Sequence, residues 1–200
     1  NDRRGDVMKK QIKHTAYPCV KRGGLIWTYM GEDDPPPLPN LEWLDLPETF
    51  VHLSVRIQQC NWLQALEGEI DSSHAGFLHG RIDGNGDAPW AKLGDSYGNP
   101  DFEVEPSECG LQVATRRAMP DGQTYWRINQ FLMPFWTAVP PSGGEPDISG
   151  HAWIPIDDFH TLCIMYSYQP ESPLSERKLK LYTKGARGRE SGHMTQDGVL

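Results

Sequence analysis

The sequence contains no run approaching the ~18 uninterrupted apolar residues of a membrane helix. Its first residues, Asn1-Asp2-Arg3-Arg4-Gly5-Asp6, are charged and carry no apolar segment of the signal-peptide kind. A membrane role and export are therefore not expected, and a cytoplasmic setting is. Cysteine is scarce: Cys19, Cys60, Cys109 and Cys163 lie far apart, and none belongs to a C-x-x-C pair. That spacing argues against a disulfide framework and fits a reducing compartment. No cysteine has a histidine two or three places after it, so a histidine-ligated [2Fe–2S] centre within this chain is excluded as well. Basic residues are scarce in the body of the chain. Residues 1–22 hold seven Lys or Arg and residues 177–189 hold six, whereas 23–176 hold six against 23 acidic residues. An acidic body with a formal net charge of −8 repels phosphate backbones, which excludes nucleic acid as a natural partner.

What is present is a globular composition: 200 residues, 38% hydrophobic and 10% aromatic, enough to bury a core. Seventeen prolines and 20 glycines cut the chain into short pieces. Leu25 to Met30 follows a glycine pair and reads as a strand. Asp33 to Pro39 is a stiff extended linker. Phe50 to Ile57 alternates apolar and polar residues, as a half-buried strand does. Asn61 to Ala75 is the best helix, and a polar, Gly-rich loop follows over about residues 80–100. Gly110–Ala118 and Thr124–Met133 flank the turn signal Pro120-Asp121-Gly122 and form a predicted hairpin. His151–Ile156 and Thr161–Tyr168, around Asp157-Asp158, form a second. The tail from Lys184 is expected to be loose. The sum is α+β: an antiparallel sheet with one central helix.

The chemistry concentrates in Glu67-Gly68-Glu69-Ile70-Asp71-Ser72-Ser73-His74-Ala75-Gly76-Phe77-Leu78-His79. On a continuous helix Glu67, Asp71 and His74 share one stripe. His79 would sit roughly 140° from His74. Both imidazoles face one point only if the helix ends or bulges between them, and Gly76 is the expected break. Two imidazoles and one carboxylate make the facial triad of non-haem Fe(II) oxygenases, which leaves positions open for dioxygen. A given His–His spacing arises by chance about 0.25 times in a chain of this composition. Adding the Asp and Glu at their positions lowers that more than tenfold. The competing reading is a polar helix end whose Glu67, Glu69 and Asp71 form a solvated face.

The pattern [D/E]-x3-D-x2-H-x4-H resembles the iron-binding motif of Rieske non-haem iron oxygenase α subunits. Cys60-Asn61-Trp62-Leu63-Gln64-Ala65-Leu66-Glu67-Gly68, Gly23-Gly24-Leu25-Ile26-Trp27-Thr28-Tyr29-Met30-Gly31, Trp126-Arg127-Ile128, Met133-Pro134-Phe135 and Ile154-Pro155-Ile156-Asp157-Asp158 resemble the phthalate 4,5-dioxygenase and aromatic O-demethylase branch. The likeness spans most of residues 15–170. It implies a helix-grip catalytic domain, with an antiparallel sheet wrapped around a central helix, here incomplete. It implies His74 and His79 as ligands of a mononuclear Fe(II). Asp71 is implied to hydrogen-bond a ligand histidine and to bridge electron transfer from a neighbouring subunit of a homotrimer, and Glu67 to be an interface or solvent-gating group. Electrons are implied to come from NAD(P)H through a ferredoxin or flavin reductase and a [2Fe–2S] Rieske cluster. The substrates implied are dioxygen and a small aromatic compound. Residues 1–22 are expected to follow a missing Rieske domain and 23–200 to form the catalytic domain. The third iron ligand, an Asp, is expected beyond Leu200.

Arg127 shares a strand face with Asn129, Phe131 and Met133. It could grip an aromatic carboxylate in a two-toothed hydrogen bond or pair with a carboxylate across the sheet. Phe131 and Ser72 are further candidates for substrate contact. His52, His151 and His160 read as satisfied sheet residues. Two alternatives stand beside the oxygenase reading. One is a helix-grip module that binds an apolar ligand without metal. The other, a zinc hydrolase, lacks the H-E-x-x-H spacing such a site uses.

Overall fold

The computed structural model describes residues 9, 12, 14–74, 100–119, 121–141 and 146–184. The expected Gly76 break, His79, the polar loop and the end of the tail lie outside them. The chain divides into two compact units, residues 1–46 and 47–200.

In the first unit, β1 (Cys19–Arg22) and β2 (Leu25–Thr28) form an antiparallel hairpin turning at Gly23-Gly24. The boundary expected after residue 22 falls within this hairpin. Residues 34–40 carry no regular structure, as the proline run requires. A short 3-10 turn at Glu42–Asp45 buries Trp43 and Leu44, and Arg22 grips Asp45 through Nε and Nη2. Both partners of that pair are exposed, so it adds little stability.

The second unit is an open seven-stranded antiparallel sheet. Its strands are β3 (Val51–Gln58), β4 (Asp101–Ser107), β5 (Gly110–Ala118), β6 (Thr124–Leu132), β7 (Trp136–Val139), β8 (Ile148–Pro155) and β9 (Thr161–Tyr168), in spatial order β3-β9-β8-β7-β6-β5-β4. Both predicted hairpins are present. In the β5–β6 connection Gly122 takes φ +80°, the left-handed conformation that glycine adopts without penalty. Strands β4 and β7 were not anticipated, and neither was the second helix, α2 (Glu176–Lys184).

Helix α1 (Trp62–Ile70) lies on β6, β7 and β8. Asn61 caps it: Oδ1 accepts from Leu63 N at 3.0 Å, while Nδ2 donates to the Asp158 carbonyl in the β8–β9 turn. Trp62, Ala65, Leu66 and Ile70, spaced for one helix face, pack with Trp153, Cys163 and Phe131. Burial pushes the Cys163 thiol up to about 12, so it behaves as a small core hydrophobe. Helix α2 packs on the same sheet face near the other edge. Tyr182 and Leu174 meet Met165, Tyr182 Oη donates to Asp147 Oδ2 at 2.5 Å, and Lys178 Nζ lies 2.9 Å from Asp147 Oδ1. Gly150 sits under the Tyr166 ring, whose hydroxyl donates to the Thr137 carbonyl at 2.6 Å. A Cβ there would strike both groups.

Leu66 is 3% exposed at the centre of the helix–sheet contact. Leu66→Ala is expected to cost about 3 kcal/mol. Urea unfolding with an unchanged slope and a lowered midpoint would register it.

Candidate functional site

The helix predicted over Asn61–Ala75 stops at Ile70. Asp71 has an extended backbone (φ −73°, ψ 117°), and helical conformation resumes at Ser73 and His74. The stripe expected to join Glu67, Asp71 and His74 is therefore broken. The physical reason is a capping exchange. In an unbroken helix, the Ser73 and His74 amides would donate to the carbonyls of Glu69 and Ile70. Instead Asp71 Oδ1 accepts from Ser73 N at 2.8 Å and Ser73 Oγ at 2.7 Å, and Oδ2 accepts from His74 N at 3.2 Å. Asp71 thus caps a new helical start. These donors hold its carboxyl below the usual aspartate range, although burial pushes the other way.

The same carboxylate reaches the His74 imidazole, with Asp71 Oδ2 and His74 Nδ1 3.2 Å apart. An Nδ1–H donated to Asp71 makes Nε2 the lone-pair nitrogen, the protonation pattern of a metal-binding histidine held by a carboxylate. The donor chemistry therefore suits a divalent metal at His74. No group of three or more His, Cys, Asp or Glu able to hold a metal occurs among the described residues, and His79 lies outside them.

The sheet satisfies the carbonyls released at the break. Asn129 Nδ2, on β6, lies 3.3 Å from Glu69 O, 3.0 Å from Ile70 O and 3.1 Å from Ser72 Oγ. Arg117 Nη2, on β5, donates to Ser72 O at 2.8 Å. Ser72, expected as a substrate contact, is 1% exposed, and both its oxygens are engaged by the sheet. Phe131, another such candidate, is half-buried against α1. Glu67 is exposed. Arg127 is half-buried on the helix-bearing face and pairs with no carboxylate among the described residues. The cross-strand pairing considered for it belongs to Arg116, which reaches Asp101 at 3.1 Å and Glu103 at 3.9 Å on the opposite face.

A family model described as LigXa C-terminal domain like matches residues 28–183. The chain belongs to this family. The chain is 34% identical over 168 residues to the 3-chlorobenzoate-3,4-dioxygenase oxygenase subunit of Comamonas testosteroni, covering 82% of this chain and 38% of that protein. It is 33% identical over 172 residues to the phthalate 4,5-dioxygenase oxygenase subunit of Pseudomonas putida, covering 77% and 37%. The 5,5'-dehydrodivanillate O-demethylase oxygenase subunit of Sphingobium sp. is 35% identical over 136 residues, covering 64% and 28%. The chain thus spans well under half the length of these relatives, which are oxygenase subunits of the branch its motifs resemble. Among solved structures, dicamba monooxygenase bound to dicamba superimposes with a TM-score of 0.55 at 14% identity, covering 87% of this chain and 56% of that one. The terminal oxygenase of carbazole 1,9a-dioxygenase from Nocardioides aromaticivorans IC177 does so at 0.51, with 20% identity and 87% and 54% coverage. At those identities the likeness establishes the helix-grip fold.

Sequence reasoning missed the role of Glu69. Its carboxylate is buried between α1 and the sheet. Oε1 lies 2.6 Å from His151 Nδ1, and Oε2 accepts from Trp153 Nε1 at 2.8 Å and from Thr137 Oγ1. His151 stacks on Trp153, with ring centroids 4.6 Å apart. The expectation of a satisfied sheet histidine holds for His151, and Glu69 is what satisfies it. Burial alone would raise the Glu69 carboxyl. The charge of His151 and the three hydrogen bonds outweigh burial and hold it below the usual glutamate range. The signal available in the sequence was weak: Glu69 is one of three acidic residues within five positions.

Glu69→Gln is expected to cost about 3 kcal/mol at neutral pH, as when one partner of a buried pair is lost. Because the native pKa is depressed, the stabilisation from Glu69 is fully present above the ordinary value of about 4.3 and disappears as pH falls through the native one. Urea unfolding from pH 7 to pH 3 should show wild type and variant converging in acid. Parallel curves would refute an ionised Glu69.

Proposed function

We propose that this chain is the mononuclear-iron catalytic portion of a Rieske-type oxygenase that hydroxylates or O-demethylates a small, carboxylated aromatic compound. The observation that carries the reading is the Asp71–His74 hydrogen bond at a break in the helix, which orients an imidazole for a metal. The family and the relatives' names support the reaction class. His74 and His79 would hold Fe(II), with a carboxylate from elsewhere in the whole protein as third ligand. When bound, the iron supplies dioxygen activation, driven by electrons from NAD(P)H through a reductase or ferredoxin and a [2Fe–2S] cluster in another domain.

The chain's own residues then have separate tasks. Asp71 keeps the proton on His74 Nδ1, fixes the ring's rotation and, in a homotrimer, would face the neighbouring subunit's electron donor. Arg127, half-buried and without a carboxylate partner among the described residues, would orient the substrate carboxylate. Phe131 and Trp153 line the apolar contact that keeps water from the helix–sheet junction. Glu67, exposed on α1, is assigned to a subunit interface or solvent gate. Residues 23–200 would form the catalytic domain. The assembly would act in the cytoplasm; no described helix is long and apolar enough to cross a membrane.

In the full-length protein, stoichiometric ferrous iron should be bound and should be lost in His74→Ala and in His79→Ala. Asp71→Asn should weaken iron binding about 10–100-fold, as loss of a supporting carboxylate does. Metal analysis and chelator competition measure both. Iron-free protein that still takes up an apolar aromatic ligand would instead favour a binding module.

A further inference from the structure

Arg117 is 4% exposed, yet no carboxylate among the described residues pairs with it. Burying a guanidinium is costly unless its charge and donors are used. One use is visible: Nη2 donates to the Ser72 carbonyl, between the Asp71 cap and the Ser73–His74 start, while Nε has no hydrogen-bond partner among the described residues. A second is electrostatic. The cation lies at the C-terminal end of α1, where helix carbonyls concentrate negative potential; burial and the neighbouring Arg127 still disfavour its charge by more than Tyr125 and Asp71 support it, and its pKa is held below the usual arginine range. Val113, Thr115 and Arg117 share a sheet face with Asn129, Arg127 and Tyr125 by register. Arg117 and Asn129 therefore approach the break from adjacent strands. Asn129 holds the carbonyls before it, and Arg117 holds the one after it. Asn129 could fix the helix end alone. Asp71 Oδ1 holds the amide end of the Ser72–Ser73 peptide and Arg117 its carbonyl end, so Arg117 is the sheet's grip on the peptide from which His74 departs.

We infer that Arg117 is a positioning residue for the metal centre: its hydrogen bond to the Ser72 carbonyl fixes the Asp71–His74 elbow in the orientation that binds ferrous iron. This assignment rests on the iron reading above. It differs from a substrate-carboxylate role, because the guanidinium is enclosed and spends a donor on the backbone.

The test compares Fe(II) affinity, by chelator competition, in full-length wild-type protein and in Arg117→Met, Arg117→Lys and Val113→Ala. Thermal unfolding is recorded for each. The expected result is at least about a tenfold weaker affinity in Arg117→Met. Arg117→Lys, which keeps a cationic donor for Ser72 O, should stay within about threefold of wild type. Val113→Ala, a core change on the same strand, should lower the melting temperature and leave affinity unchanged. Should Arg117→Met fail to fold, Arg117→Gln, too short to reach Ser72 O, carries the same expectation. Wild-type affinity in the Met or Gln variant would overturn the proposal. So would an equal loss in Val113→Ala, which would reduce the effect to general stability. Wild-type protein that binds no ferrous iron would sink the metal reading itself, an outcome distinct from either.

Discussion

A helix cannot satisfy its own last carbonyls, and this one is interrupted where two of its carbonyls and two following amides would have paired. The chain resolves most of the loss through side chains, although Arg117 Nε and Asn129 Oδ1 stay buried without a hydrogen-bond partner among the described residues. Asp71 takes the Ser73 and His74 amides, and Asn129 takes the Glu69 and Ile70 carbonyls. These four groups each find a partner within 3.3 Å. The exchange matters because it turns a side chain of the helix into a cap. A carboxylate on a regular helix surface would be free to rotate into solvent. A carboxylate bound to two successive amides cannot, and so it offers the His74 ring a fixed acceptor.

The helix-bearing face of the sheet is correspondingly polar where a core would ordinarily be apolar. Around Glu69 the sheet presents donors only: an imidazole, an indole N–H and a hydroxyl, from β7 and β8. Around Ser72 it presents an amide and a guanidinium, from β6 and β5. Two clusters thus hold the end of α1 across four consecutive strands. The apolar contact of Leu66 with Trp153 and Cys163 supplies the attraction between helix and sheet but no direction, because hydrophobic burial is non-directional. The hydrogen bonds supply the register. A slip of the helix by one residue would keep much of the apolar burial and strand a buried carboxylate.

The sequence revealed those parts of the fold that local pattern determines. Both hairpins were legible because alternation and a turn signal coincide, as at Asp121-Gly122. Strand β4 was not, because Asp101, Glu103, Glu105 and Pro106 carry little strand preference; pairing with β5 imposes its conformation. Strand β7 has four residues, too few for a period to show. Helix α2 reads as a basic tail until Tyr182 is seen buried against Met165 and hydrogen-bonded to Asp147. The excess length expected for α1 has a similar cause. Helix propensity over 71–75 cannot weigh Asp71's capping bonds, and the break expected at Gly76 is preceded by this one.

The site divides along the same line. The Asp71–His74 hydrogen bond was readable because it depends on a spacing of three, which a cap preserves as well as a helix does. Glu69, Arg117 and Asn129 were not, because their roles depend on which strand lies beneath which turn. Arg116 and Arg117 make the point. They are neighbours with identical side chains, and alternation sends one to solvent-facing Asp101 and Glu103, the other to a buried carbonyl. Asp71 and His74 could therefore persist in a chain that had lost its iron chemistry, since a capping Asp followed by a His is an ordinary helix start. A guanidinium buried without a carboxylate partner among the described residues, and bonded to the peptide between them, is costly for stability alone, and that cost is what the positioning role proposed for Arg117 would account for.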